Sequence, residues 1–78
     1  MKFPNDLEKK HVILIFERLG FKIVRIGNHI SMLYEDQTGK KIPLTLPNHK
    51  KIKSSTLRSA ITQAGISREE FLEILKEI

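Results

Sequence analysis

An α+β domain, with helices on one face of a three-stranded antiparallel sheet, is predicted by three observations. Apolar residues recur at helical spacing in an N-terminal run that stops at Gly20. Two alternating runs then flank Gly27-Asn28, and a third follows after Gly39. Two further helical patterns, one closed by Gly65 and one opened by Ser67, complete the chain. The order is helix, three strands, helix, short C-terminal helix, which makes a two-layer α-β-β-β-α unit. The 78 residues form one domain, 1–78, with no repeat, linker or low-complexity stretch.

The first helix is expected from Phe3 to Leu19. Pro4, Asn5, Asp6 and Glu8 suit a helix start, where negative charge meets the positive end of the dipole. Val12, Ile15, Phe16 and Leu19 share a face, and Gly20 suits the residue just past the helix. Val12 to Phe16 is also an unbroken apolar run that a buried strand would accept. Length and the flanking residues favour the helix.

Phe21 to Ile26 and His29 to Glu35 are the arms of a hairpin. Gly27-Asn28 between them reads as a two-residue turn, since both residues tolerate positive φ. That register sets Ile26 opposite His29, Ile23 opposite Met32 and Phe21 opposite Tyr34. Phe21, Ile23, Ile30, Met32 and Tyr34 then face the helices, while His29, Ser31 and Leu33 face away beside Lys22, Val24 and Ile26. The third strand runs from Lys41 to Leu46. A five-residue loop, Asp36 to Lys40, brings Ile42, Leu44 and Leu46 onto the helix face; a four-residue loop would invert them. Gly39 is expected to take a positive φ there, and Pro43 marks an edge strand because it cannot donate to a ladder.

Pro47 to Lys53 reads as a basic loop. Ser54, Ser55 and Thr56 then offer an N-cap for a helix that turns Leu57, Ala60, Ile61 and Ala64 inward. Ser67-Arg68-Glu69-Glu70 is a capping box opening the last helix, with Phe71, Leu72, Ile74 and Leu75 apolar.

Charge narrows the partners. The net charge of +5 favours an anionic one. No Asp or Glu falls between Gln37 and Arg68, a window that holds Lys40, Lys41, Lys50, Lys51, Lys53 and Arg58. With no cysteine there is no disulfide framework and no thiolate metal site. No apolar run is long enough to span a membrane and no signal-peptide pattern opens the chain, so a cytoplasmic protein without a membrane partner is expected. Walker, dinucleotide and Gly-x-Ser-x-Gly signatures are missing, and His11, His29 and His49 lack close metal-ligand spacing; neither metal nor cofactor is expected.

Two features remain that carry chemistry. Lysines beside the start of the Ser54 helix form a cradle for phosphate, unless they are simply a solvated loop. His29, leaving a tight turn, is either a surface histidine or a reactive group whose imidazole gives or takes a proton near neutrality. Next to a bound RNA backbone it could deprotonate a 2′-hydroxyl, with no metal required.

Gly20-Phe21, Val24-Arg25 and Gly27-Asn28-His29 resemble the glycine-serine-histidine signature of the HicA toxin family. Pro47-Asn48-His49-Lys50, Ile52, Thr56-Leu57-Arg58-Ser59 and Gln63-Ala64-Gly65-Ile66-Ser67 resemble its second half, in the same order and spacing. The departures are Asn28 where serine is usual, Ser55 where glycine commonly stands, and Ala60 where a bulkier aliphatic is common. The resemblance implies a fold similar to the double-stranded-RNA-binding domain and a metal-independent mRNA interferase, neutralised by a HicB-type antitoxin. Its catalytic histidine carries over to His29. Lys50, Lys51, Lys53, Ser55, Thr56 and Arg58 are then the expected RNA phosphate-binding set. Two other readings use the same surface: a non-catalytic RNA-binding module, and a protein-interaction domain that presents Val24, Ile26 and Leu33.

Overall fold

The computed structural model describes residues 5–78. The elements in order are β1 (Asp6–Glu8), α1 (Lys9–Arg18), β2 (Lys22–Ile26), β3 (His29–Glu35), β4 (Lys41–Pro47), β5 (Lys51–Lys53), α2 (Ser54–Ala64) and α3 (Arg68–Glu77). Strands β2, β3 and β4 form the three-stranded antiparallel sheet in that order, so the expected α+β class and sheet stand. Ile30, Met32, Leu44 and Leu46 of the sheet are buried with Val12, Ile15, Phe16, Leu57, Ala60 and Phe71 of the three helices. All three helices therefore lie over one face. Burying a side chain of this size stabilises a fold by roughly 1.5–3 kcal/mol. Aromatic rings hold the centre together: Phe16 meets Phe21 edge-on at 5.7 Å and Phe71 at 5.9 Å.

The N-terminal expectation needs correction. Phe3 and Pro4 lie outside the described residues, and Asp6–Glu8 form a strand rather than the first turn of a helix. This strand pairs antiparallel with β5, setting Leu7 opposite Ile52, a fully buried residue of the presumed loop. Covering Ile52 outweighs the local helix signal of Asp6 and Glu8. Helix α1 starts at Lys9 with Glu8 at its N-cap position, where no side chain caps it. The Lys9 N–H instead donates to the Lys50 carbonyl at 2.8 Å. At the other end the Phe21 N–H reaches the Phe16 carbonyl at 2.9 Å and the Gly20 N–H the Glu17 carbonyl at 3.0 Å, a Schellman closure. Gly20 has φ +106, and a Cβ there would stand 2.8 Å from the Tyr34 ring.

The hairpin follows the expected register at its base and departs from it at its tip. Lys22 faces Leu33 and Ile23 faces Met32, but a bulge at Val24 makes Arg25 face Ser31 and Ile26 face Ile30. The turn is Gly27-Asn28-His29, closed by the Gly27 N–H on the His29 carbonyl at 3.0 Å, and neither Gly27 nor Asn28 has a positive φ. Ile26 consequently moves to the face of Ile30, 64% exposed at the sheet's end, and is not beside His29 as expected.

The β3–β4 connection is the five-residue one, pairing Glu35 with Lys41, Tyr34 with Ile42 and Met32 with Leu44. Gly39 has φ +87. The Asp36 carboxylate gathers the Thr38 hydroxyl at 2.6 Å and the Thr38 and Lys40 N–H groups at 2.9 Å each. The Thr38 hydroxyl bond is the main cause holding this carboxyl below its ordinary range; desolvation opposes it, and the two backbone bonds and the Lys40 charge add to the lowering. Strand β4 is an edge, and Gln63 of α2 accepts from its Thr45 N–H at 3.3 Å. Helix α2 begins with Lys53 at its N-cap position and no side-chain cap, so Ser54, Ser55 and Thr56 do not cap it. The Ser67–Glu70 capping box forms as expected, with bonds of 3.0 and 3.1 Å.

Candidate nucleic-acid interface

The sheet face away from the helices is the one on which His29 was expected. Pairing of β3 with β2 and β4 places Ser31 and Leu33 there with Lys22, Arg25, Thr45 and Pro43. His29 stands at the start of β3 opposite Pro47, and its side chain is exposed. Together with Arg25, Gly27, Asn28 and Ser31 it lines a shallow open hollow. Arg25 stands in the Val24-Arg25 pair of the family signature but was not among the expected site residues. The alternation of β2 would turn it toward the helices, and only the bulge at Val24 brings it beside His29. An imidazole next to a guanidinium on an exposed surface is able to exchange a proton while a fork of N–H donors grips a phosphate.

The turn that presents His29 is tied down from below. The Asn48 side-chain amide donates to the Gly27 carbonyl at 2.8 Å, and the Asn48 N–H donates to the Asn28 carbonyl at 3.3 Å. The Asn48 carbonyl oxygen accepts from Lys9 Nζ at 2.6 Å. The β4–β5 connection thus joins the His29 turn to the start of α1. Asn48 and Lys9 were not among the expected site residues. The signal in the sequence was faint: an asparagine in a Pro-Asn-His run, with nothing to say what it would reach.

The expected phosphate-binding residues separate into groups. Lys50 borders a hollow with Glu8, Lys9 and Lys10, close to the Asn48 bridge. Lys51 and Lys53 are exposed on one side of β5, directly across from Glu8 and Asp6. The acid-free window of the sequence is therefore partly answered in space by the two acids of β1. Ser55 is exposed and Thr56 half-buried in the first turn of α2, while the Ser54 N–H is already used by the Asn5 carbonyl at 2.8 Å. Arg58 lies exposed one turn further along the same helix. His49, the other histidine near the site, is exposed on the connection that holds Asn48. Among the described residues no three His, Cys, Asp or Glu side chains gather where they could hold a metal ion, and no helix is long and apolar enough to cross a membrane.

The family model of the HicA toxin of bacterial toxin–antitoxin systems matches residues 10–66, most of the chain and all of the hollow around His29. The chain belongs to the HicA toxin family. No curated protein and no solved structure matches it. The matched span runs from α1 through α2, so the three-stranded sheet of this HicA chain lies wholly inside it, while β1, Lys9 and α3 lie outside.

Proposed function

We propose that this HicA chain is the toxin of a toxin–antitoxin pair and acts as a metal-independent mRNA endoribonuclease, with His29 as its acid–base group. The observation that carries this reading is the exposed His29 beside Arg25 in a hollow of a HicA-family sheet. The imidazole takes the proton of an RNA 2′-hydroxyl. The 2′-oxygen then forms a bond to the adjacent phosphorus, and the bond from phosphorus to the 5′-oxygen breaks. The imidazolium returns its proton to that leaving oxygen, so the products are a 2′,3′-cyclic phosphate and a 5′-hydroxyl. General-base help of this kind is typically worth about 10²–10⁴-fold. Arg25 steadies the charge that grows on the phosphoryl oxygens. Lys50, Lys51, Lys53, Ser55, Thr56 and Arg58 guide the flanking backbone. Val24, 61% exposed on the open face, and the neighbouring basic groups suit cover by an acidic HicB-type antitoxin, which would exclude RNA by occupying the same face.

The test is cleavage of a labelled mRNA in EDTA by the wild type and by His29→Ala. The expected outcome is a variant with wild-type RNA affinity whose cleavage is at least about 10²-fold slower. Removing an exposed side chain of this sort shifts stability by no more than about 0.5 kcal/mol. A deoxyribose on the 5′ side of the cut should block the wild type. Cleavage at deoxyribose excludes 2′-hydroxyl attack, and full activity of His29→Ala removes His29 from the reaction.

A further inference from the structure

Resting on that reading of His29, we propose that Asn48 is a positioning residue for His29 and that the same carboxamide holds Lys9 at the site as a phosphate-binding cation. Asn48 is half-buried between two partners of opposite character. Lys9 Nζ can only donate and the Gly27 carbonyl can only accept, so the amide has one orientation that satisfies both: Oδ1 to Lys9 at 2.6 Å and Nδ2 to Gly27 at 2.8 Å. With the bond from the Asn48 N–H to the Asn28 carbonyl, one residue fixes two consecutive carbonyls of the turn that ends at His29. A bulge precedes this turn, and neither Gly27 nor Asn28 is in a left-handed conformation.

Lys9 arrives from the other side. Its backbone is anchored by the Lys50 carbonyl, and its ammonium spends one of three N–H donors on Asn48. The other two are available to a phosphate, one carboxamide away from the His29 turn. Lys10 and Lys50 border the same hollow, and Lys10 is drawn to Glu8 at 3.4 Å. Lys9 lies one residue before the family-matched span.

Three variants test this with steady-state cleavage and with binding of an RNA made uncleavable by deoxyribose at the cut. Asn48→Asp keeps an oxygen for Lys9 but replaces the donor facing the Gly27 carbonyl; kcat should fall about ten- to hundred-fold with KM near the wild-type value. Asn48→Ala should lower kcat similarly and raise KM as well, since Lys9 is released. Lys9→Met should raise KM more than it lowers kcat, and should flatten the dependence of log affinity on log salt by about 0.7, the share of one phosphate on a single strand. A purely structural Asn48 would lower thermal stability without this separation of kcat from KM. Wild-type kcat in both Asn48 variants overturns the positioning role, and an unchanged salt slope in Lys9→Met overturns the cation role. His29→Ala, run alongside, tells the two failures apart. If it is inert while the Asn48 variants are fully active, only this inference falls; if it is as active as the wild type, the proposed reaction falls.

Discussion

Gly20 joins the end of α1 to the start of the sheet, and Gly20→Ala measures how tightly that junction is specified. The Schellman closure puts Gly20 at φ +106, outside the range an L side chain adopts without strain. Strain of this kind costs about 1–3 kcal/mol. An added Cβ would also stand 2.8 and 3.0 Å from two carbons of the Tyr34 ring, whose centroid lies 5.5 Å from that of Phe21. The ring borders an open hollow with Leu19, Phe21 and Ile42, so it can swing aside, at about 0.5–1.5 kcal/mol for leaving its rotamer. The sum is roughly 1.5–4.5 kcal/mol, a fall in Tm of about 6 °C or more for a domain of this size. Urea titration and calorimetry of Gly20→Ala, Tyr34→Val and the double variant read both parts. In the Tyr34→Val background Gly20→Ala should cost less by the ring's share, leaving the backbone strain alone. A loss under about 0.5 kcal/mol in the single variant would refute the strained junction. Equal losses in both backgrounds would refute the ring contact.

Two further outcomes follow from the charges. Lys50 borders a hollow where two further lysines, Lys9 and Lys10, outnumber Glu8, whereas Lys51 stands directly across from Glu8, so Lys50→Ala should flatten the salt dependence of RNA affinity by about 0.7 and Lys51→Ala by less; unchanged slopes in both would move the RNA path off this ribbon. The Asp36 carboxyl is held below its ordinary range, so the order it lends the β3–β4 turn is complete above the unfolded carboxyl value and is lost as pH falls through the depressed one. Amide exchange at Thr38 and Lys40 should therefore quicken in acid, and Asp36→Asn should remove that pH dependence; protection that is flat with pH in the wild type would contradict it.

Much of the molecule was legible from local pattern. The inward positions of α2, the loop length between β3 and β4, and the Ser67–Glu70 box each follow from spacing over a few residues, where periodicity and capping act directly. His29 was legible too, because a histidine leaving a turn at the start of a strand alternates to the open face. Its surroundings were not. Long-range pairing decided them: β1 gave up a helical start because Leu7 covers Ile52, more than forty residues later, and in doing so brought Asp6 and Glu8 across from two of the lysines. A single bulged residue, Val24, exchanged the faces of Arg25 and Ile26 and so put a guanidinium beside His29, a switch that no alternation rule contains. Asn48 could be read as a loop residue, but its two hydrogen-bonding ends find Lys9 and Gly27 only once three separate segments have packed together. Spacing within a segment determined which residues are inward. Contacts between segments, which no local period records, decided what stands next to the histidine.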